Sequence, residues 1–148
     1  MENTPLLILL ADDDEIDRLL FKEAFGELKM NNVVHAVSNG TQLMDYLTKK
    51  DATLPSLIFL DLNMPRINGL ECLKEIRSNE KFKKIPIAIY STSASKHDIE
   101  ETFRNGANVY IEKPNDFNIL KQLLTKVVST THINQDQSFN IENFLLRI

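Results

Sequence analysis

Residues 57–65 read LIFLDLNMP: four apolar residues, an aspartate at position 61, and then a turn that ends in Pro65. A short run of branched and aromatic residues without strict alternation is typical of a strand buried on both faces of a parallel sheet. Residues 6–13 have the same design, because LLILLA leads directly into Asp12 and Asp13. Each of the two segments therefore predicts a buried strand that ends in carboxylates.

Apolar runs of this kind recur at similar spacing, and helical patterns separate them. The runs occupy residues 6–11, 33–37, 57–60, 87–90 and 109–111. The helical patterns, in which apolar residues repeat at three- and four-residue steps, are Ile16, Leu19, Leu20, Ala24 and Leu28; Leu43, Met44 and Leu47; Leu70, Leu73 and Ile76; Ile99 and Phe103; and Phe117, Leu120, Leu124, Val127 and Val128. Five repeats of strand and helix predict an α/β domain, a doubly wound five-stranded parallel sheet flanked by five helices.

Capping residues support the helix boundaries. Asp13 or Asp14 can accept hydrogen bonds from the first turn of the first helix. Asn39, followed by glycine, marks the turn before the second helix, and Asn115 or Asp116 opens the last one.

The composition excludes several classes of protein. With 148 residues, 43% of them hydrophobic and 26% charged, the chain can bury the core of one globular domain. The formal net charge of −4 argues against a nucleic-acid partner, because such modules need a basic face. The apolar run at residues 6–11 is too short for a membrane span and lacks the flanks of a signal peptide. The single Cys72 can form no internal disulfide, which fits a reducing cytoplasm.

The pattern changes after Val128. Polar residues continue to Gln137, and a short apolar segment follows, formed by Phe139, Ile141, Phe144, Leu145, Leu146 and Ile148. We therefore predict one domain over residues 1–128, followed by a C-terminal linker and apolar tail over residues 129–148, with no output domain. Because apolar side chains avoid water, we expect the tail to pack on the domain or across a homodimer.

Reactive side chains follow four of the five predicted strands. In open parallel sheets, ligands bind beyond the carboxyl ends of the strands, near the point where the strand order reverses. In the common order 2-1-3-4-5, the strands that precede Asp12, Asp13 and Asp61 are neighbours. Three carboxylates in one small space repel each other unless a cation joins them, and oxygen ligands favour Mg²⁺ or Mn²⁺. The sequence therefore predicts a magnesium site, in which Mn²⁺ can substitute.

A hydroxyl and an ammonium complete this predicted site. Ser91 follows the fourth strand and Lys113 follows the fifth. A carboxylate beside Mg²⁺, a hydroxyl and a lysine are the parts of a phosphoryl-transfer centre, which needs positioned groups and neutralised charge. Asp61 would be the nucleophile that forms an acyl phosphate, while Lys113 and Ser91 would contact the phosphoryl oxygens.

Four segments in this order carry a family resemblance: LLILLADDDE, LIFLDLNMPRINGLE, IPIAIYSTSAS and NVYIEKP. Together they resemble the response-regulator receiver family of two-component signalling, and the likeness extends over about residues 6–128. The resemblance implies a flavodoxin-like receiver fold. It also implies a signalling phosphoacceptor with self-phosphorylation and autodephosphorylation chemistry, rather than a conventional enzyme.

The resemblance also assigns roles at the metal site. Asp61 matches the family's phosphoacceptor. Asp13 would touch Mg²⁺ directly and Asp12 mainly through water, and Asn63 would give its backbone carbonyl to the metal.

Further roles follow from the later segments. Ser91 matches the switch hydroxyl, Lys113 the family lysine, and Tyr110 an aromatic that swings between exposed and inward rotamers. The bond between Lys113 and Pro114 is expected to be cis.

The resemblance further implies a donor and an output. A histidine kinase would supply the phosphoryl group, and phosphorylation would change the face formed by the fourth helix, fifth strand and fifth helix. Residues 54–60, the loop SNEKFKKIPI and the closing IENFLLRI resemble stand-alone receivers that partner phytochrome-like kinases. We therefore expect a cytoplasmic phosphorelay protein that binds neither nucleic acid nor membrane.

Two other interpretations deserve comparison. A haloacid-dehalogenase-type Mg²⁺ phosphatase also uses an aspartate after its first strand, and Asp12 and Asp14 have the required spacing, but Glu15 and Ile16 do not continue the pattern. A receiver that is never phosphorylated would lack an acidic-pair or lysine position, whereas this sequence has all of them.

Overall fold

The computed structural model describes residues 5–133 and 144–147. Its strands are β1 (Leu6–Ala11), β2 (Asn32–Val37), β3 (Leu57–Leu60), β4 (Ile87–Ser91) and β5 (Val109–Glu112). Its helices are α1 (Glu15–Gly26), α2 (Gly40–Thr48), α3 (Gly69–Ser78), α4 (Lys96–Arg104) and α5 (Phe117–Ile133). All strand pairs are parallel, in the order β2-β1-β3-β4-β5. The predicted fold class and strand order are confirmed.

The sheet divides two hydrophobic cores. Successive residues of a strand point to opposite faces, so Leu9 and Ala11 face one core while Ile8 and Leu10 face the other. The first core packs α2 and α3 against the sheet, and the second packs α1 and α5 against it. Loops beyond the carboxyl ends of the strands are thereby left at one open edge of the domain.

The central strands are buried as predicted, but β2 is not. Every residue of β3 and β4 is buried. β2 is an edge strand with alternating burial, and Val33 is 51% exposed. A short apolar run does not reveal which strand lies at an edge, because edge position depends on the order in which strands pair.

Side-chain caps fix where the helices begin. Asp14 caps α1 by accepting the N–H of Asp17 at 2.9 Å. Asn39, where a turn was predicted, caps α2, and Asp116 accepts the N–H of Ile119 at the start of α5. Of the alternatives that the sequence left open, Asp14 rather than Asp13 caps α1, and Asp116 rather than Asn115 accepts at the start of α5.

The buried face of α1 differs from the apolar stripe seen in the sequence. Ile16, Leu19 and Leu20 are 67%, 57% and 40% exposed, whereas Phe21 and Phe25 are fully buried. The helix carries two apolar stripes side by side, and the larger aromatic surface is the one that packs. Phe21 makes an edge-to-face contact with Phe59 of β3 at 4.9 Å between ring centroids.

The end of the chain departs from a simple linker and tail. α5 continues to Ile133, so the first residues expected in the linker are helical. Residues 144–147, here called the C-terminal segment, lie along β5, where Leu145 forms a parallel bridge with Tyr110. Phe144 is fully buried against Phe103 and Tyr110. The rest of the predicted linker and tail, including Phe139, Ile141 and Ile148, lies outside the described residues.

None of the helices in the described ranges has the length and apolar character needed to cross a lipid bilayer.

Candidate functional site

Strand register brings the predicted site residues to one edge of the sheet. Ala11 of β1 pairs with Leu60 of β3, and the N–H of Asp61 donates to the Ala11 carbonyl at 3.0 Å. The residues that follow, Asp12 and Asp61, therefore lie side by side. On the other side of β3, the N–H of Lys113 donates to the Ser91 carbonyl at 2.8 Å. Residues far apart in the sequence thus meet because each directly follows or ends a strand.

Three carboxylates form the acidic part of the site. Asp12, Asp13 and Asp61 each offer one oxygen, and these oxygens all lie within 4.8 Å of one another. Asp12 and Asp61 are buried, while Asp13 is exposed. The N–H of Asp14 donates to Asp12 Oδ1 at 2.9 Å, and the N–H of Asn63 donates to Asp61 Oδ1 at 3.2 Å. Backbone donors therefore orient both buried carboxylates.

Lys113 provides the positive charge of the site. Its Nζ lies 2.8 Å from Asp12 Oδ2, 2.9 Å from Asp17 Oδ2 and 3.3 Å from Asp61 Oδ2. The ring of Tyr90 lies beneath the ammonium, 5.3 Å from Nζ to the ring centroid. The Lys113 side chain is only 8% exposed. It points into the acidic pocket rather than into solvent.

Asp17 was not identified from the sequence. It lies four residues after Asp13, in the first turn of α1, whereas Asp13 precedes the helix. That spacing was the available signal, but the same residue also suits the first turn of a helix, where acids are common for electrostatic reasons.

Burial and charge act in opposite directions on these groups. Burial raises the pKa of Asp12 to about 6, although Lys113 and the Asp14 N–H oppose the shift. Burial also raises the pKa of Asp61, against the opposing influence of Lys113 and the Asn63 N–H. Burial alone would lower the pKa of Lys113, but its contacts with Asp12, Asp17 and Asp61 together raise it. The lysine therefore stays charged, whereas the contacts of Asp12 and Asp61 do not fully offset the cost of burying their negative charges.

Asp12 shows whether the site fits a divalent cation. Its Oδ2 is buried and has no partner apart from the 2.8 Å ion pair with Lys113 Nζ. A buried carboxylate oxygen with unused lone pairs, beside two further carboxylates, has the donor set of a Mg²⁺ or Mn²⁺ site. The three aspartates therefore fit the predicted metal.

Ser91 and Tyr110 belong to one hydrogen-bonded loop. Ser91 is fully buried, and its Oγ accepts the N–H of Ser93 at 3.1 Å. The Tyr110 hydroxyl donates to the Ser93 carbonyl at 2.6 Å, and Ser93 Oγ donates to Asp98 of α4 at 2.8 Å. Tyr110 is fully buried. The hydroxyl after β4 is thus connected to both β5 and α4.

Gly69 makes room for the loop that carries Asp61. A Cβ at this position would lie 2.2 Å from the Asp61 carbonyl oxygen and 2.7 Å from Leu62 Cα. Both are backbone atoms, which cannot move aside as a flexible side chain can. The close approach of α3 to this loop therefore requires glycine.

One sequence-based expectation differs from the structure here, and one alternative interpretation is disfavoured. The described chain contains no cis peptide bond, so the Lys113–Pro114 bond is trans. The energy difference between the isomers of such a bond is small, so sequence alone does not decide it. Asp14 caps α1 and is not part of the acidic group, which removes the arrangement that a haloacid-dehalogenase-type phosphatase would need.

A model of the response regulator receiver domain matches residues 8–125 of the chain. The chain belongs to the response-regulator receiver family. Receivers of this family are signalling phosphoacceptors that take phosphoryl groups from histidine kinases, and they generally use Mg²⁺.

Individual relatives agree with this assignment. The chemotaxis protein CheY homolog of Campylobacter jejuni is 32% identical over 123 residues, covering 83% of this chain and 92% of that protein. The crystal structure of the phosphorylated cyanobacterial phytochrome response regulator RcpA has a TM-score of 0.79 at 31% identity, covering 90% of this receiver and 98% of RcpA. The Mn²⁺-bound form of Rcp1, a response regulator of Synechocystis sp., has a TM-score of 0.76 at 26% identity, covering 91% and 98%.

Proposed function

We propose that this receiver is a response regulator that accepts a phosphoryl group from a histidine kinase on Asp61. The observation that carries the proposal is the position of Lys113, whose Nζ lies 3.3 Å from Asp61 Oδ2 within a pocket of three carboxylates that fit a divalent cation. A carboxylate nucleophile, a fixed ammonium and a metal-binding group in one pocket are what phosphoryl transfer requires.

Asp61 acts as the nucleophile in the proposed reaction. One carboxylate oxygen forms a bond to phosphorus while the P–N bond of the phosphohistidine breaks, and the electron pair of that bond returns to the imidazole nitrogen. A later attack by water on phosphorus breaks the acyl phosphate bond, releases phosphate and restores the carboxylate. The domain thereby resets itself.

The other site residues position and neutralise the phosphoryl group. A bound Mg²⁺, held by Asp12, Asp13, Asp61 and the Asn63 carbonyl, would supply positive charge to the phosphoryl oxygens, and Mn²⁺ could replace it. Lys113 donates to a phosphoryl oxygen from the side of β5.

Ser91 and Tyr110 are the proposed switch residues. Phosphorylation adds about −1.5 to −2 charges to the site. The Ser91 hydroxyl would move to donate a hydrogen bond to a phosphoryl oxygen. Since Ser91 Oγ now accepts the Ser93 N–H, and Ser93 holds both the Tyr110 hydroxyl and Asp98, this movement alters the loop before α4. The signal would then appear on the face formed by α4, β5 and α5.

The proposed donor is a phytochrome-like histidine kinase in the cytoplasm. The similarity to RcpA and Rcp1 supports the choice of kinase, and a lone buried Cys72 suits a reducing compartment. We take residues 1–128 as the receiver and residues 129–148 as a C-terminal extension.

Incubation with Mg²⁺ and a small acyl phosphate, followed by intact mass spectrometry, tests the proposal. We expect one added phosphoryl group on the unmodified chain and none after Asp61→Asn or in the presence of a chelator. Asp45→Asn is the matched control, because Asp45 lies on the exposed side of α2 and should leave labelling unchanged. Labelling that survives Asp61→Asn would overturn the assignment.

A further inference from the structure

One carboxylate that contacts Lys113 has no part in the proposed transfer. Lys113 Nζ donates to Asp17 Oδ2 at 2.9 Å and to Asp61 Oδ2 at 3.3 Å, with Asp12 Oδ2 as an ion-pair partner at 2.8 Å. Three carboxylates therefore lie within 3.3 Å of the ammonium. Two of them belong to the acidic group that fits a cation, and Asp17 does not.

The three partners differ in what phosphorylation does to them. A cation would draw on Asp12 and Asp61, two of the carboxylates that now face the lysine. Asp61 also loses its negative charge when its oxygen becomes bonded to phosphorus. Asp17 is the partner among these three that keeps its charge and its free lone pairs in every state of the cycle.

Asp17 is also well placed to hold the lysine. It lies in the first turn of α1, where its own N–H donates to the capping side chain of Asp14 at 2.9 Å. Its carboxylate is 31% exposed, whereas the Lys113 side chain is 8% exposed. The ammonium is thus held over the Tyr90 ring by a carboxylate fixed on a helix.

We propose that Asp17 is a positioning residue that keeps the Lys113 ammonium directed at Asp61 before, during and after phosphoryl transfer. This inference rests on the proposed function, because Lys113 must contact the phosphoryl group for its position to matter. Without Asp17, the long lysine side chain regains rotamers that point away from Asp61. The ammonium is then positioned at Asp61 in a smaller fraction of encounters with the phosphoryl donor.

A double-mutant cycle tests the inference. We expect Asp17→Ala to slow Mg²⁺-dependent labelling of Asp61 by acetyl phosphate roughly 3- to 10-fold, and to cause no further slowing in a Lys113→Met background. Asp17→Glu, which restores the charge, should recover most of the rate. Glu15→Ala is the matched control, because it removes the same charge from the same helical turn and should change the rate less than about twofold.

A second readout needs neither metal nor phosphoryl donor. In the presence of a chelator, Asp17→Ala should lower the melting temperature more when Lys113 is present than in the Lys113→Met background, because the ion pair exists only in the first case. Equal shifts in both backgrounds would overturn the inference.

The two proposals fail in different ways. If Asp17→Ala slows labelling equally in the Lys113→Met background, or if Glu15→Ala slows it as much, Asp17 does not act through the lysine. If the unmodified chain is not labelled at all, the proposed function is wrong, and the metal-free cycle still decides whether Asp17 holds Lys113.

Discussion

Asp12 is a buried carboxyl whose Oδ2 has no partner apart from the ion pair with Lys113. The incomplete compensation of this buried charge has a measurable consequence. Burial raises its pKa from 3.8 to about 6. An acid with a raised pKa in the folded state binds protons more tightly there than in the unfolded chain. Its contribution to stability is therefore greatest below the unfolded pKa and is lost as the pH rises through the folded value.

We predict that Asp12→Asn stabilises the metal-free protein near neutral pH by about 1 to 3 kcal/mol, because it removes a poorly compensated buried charge. Urea unfolding with a chelator measures this change in free energy, and the gain should shrink below about pH 4, where the carboxyl is protonated in both states. Mg²⁺ should stabilise the unmodified chain more than the variant. A loss of stability in Asp12→Asn near neutral pH would contradict this account.

The sequence predicts which residues belong to the site better than it predicts the contacts between their side chains. Asp12, Asp13, Asp61, Ser91 and Lys113 were found because each stands at the end of a strand. The contact between Asp17 and Lys113 joins residues 96 positions apart and depends on the rotation of α1 about its axis. Strand order can be anticipated from a fold class, whereas helix rotation is set by packing.

Among the secondary-structure elements, α3 is the one that constrains the acidic loop most closely. Gly69 → Ala would place a methyl group against the Asp61 carbonyl and Leu62 Cα. We predict a loss of about 1 to 3 kcal/mol in the free energy of unfolding, since backbone must move to accommodate the added carbon.

Gly26→Ala is the control for this substitution. Gly26 ends α1, and a Cβ there would meet no atom within 4 Å. Because alanine reduces the entropy of the unfolded chain, Gly26→Ala should be neutral or stabilise by up to about 1 kcal/mol. Denaturant unfolding of both variants compares them, and equal effects would show that the close approach at Gly69 is not what matters.

The strands and helices show where sequence patterns are sufficient to predict the bounds and the buried face of an element. All five strands were predicted close to their observed positions, because short apolar runs that end in polar residues are unambiguous when they recur. The buried face of α1 was not predicted correctly, since Ile16 and Leu20 have the same helical spacing as Phe21 and Phe25. α5 runs past Val128 because serine and threonine weaken a helix without ending it, and neither glycine nor proline intervenes before Ile133.

Across the whole molecule, the C-terminal segment covers part of the proposed output face. Phe144 is fully buried, with its ring 5.3 Å from that of Phe103 and 6.0 Å from that of Tyr110. The Leu146 N–H donates to the Tyr110 carbonyl at 2.9 Å, and Lys126 Nζ donates to the Arg147 carbonyl at 2.6 Å. The segment thus extends the sheet beyond β5 and shields its edge.

We predict that Phe144→Ala lowers the free energy of unfolding by about 3 kcal/mol, as expected for the loss of a buried aromatic side chain. Leu54→Ala, at a position that is 40% exposed, should change it by less than about 0.5 kcal/mol. Because the segment packs on its own domain, Phe144→Ala should not change the mass measured by light scattering. A halved mass would instead show that the segment joins two chains in a homodimer.

The central claim is that one phosphoryl group reaches Asp61 and no other carboxylate of the pocket. Borohydride reduction of the acyl phosphate converts the labelled aspartate to homoserine, which peptide mass spectrometry locates after reaction with a small acyl phosphate. We predict homoserine at position 61 alone, formed with Mg²⁺ and absent with a chelator. Homoserine at Asp12 or Asp13, or equal conversion without the metal, would contradict the account.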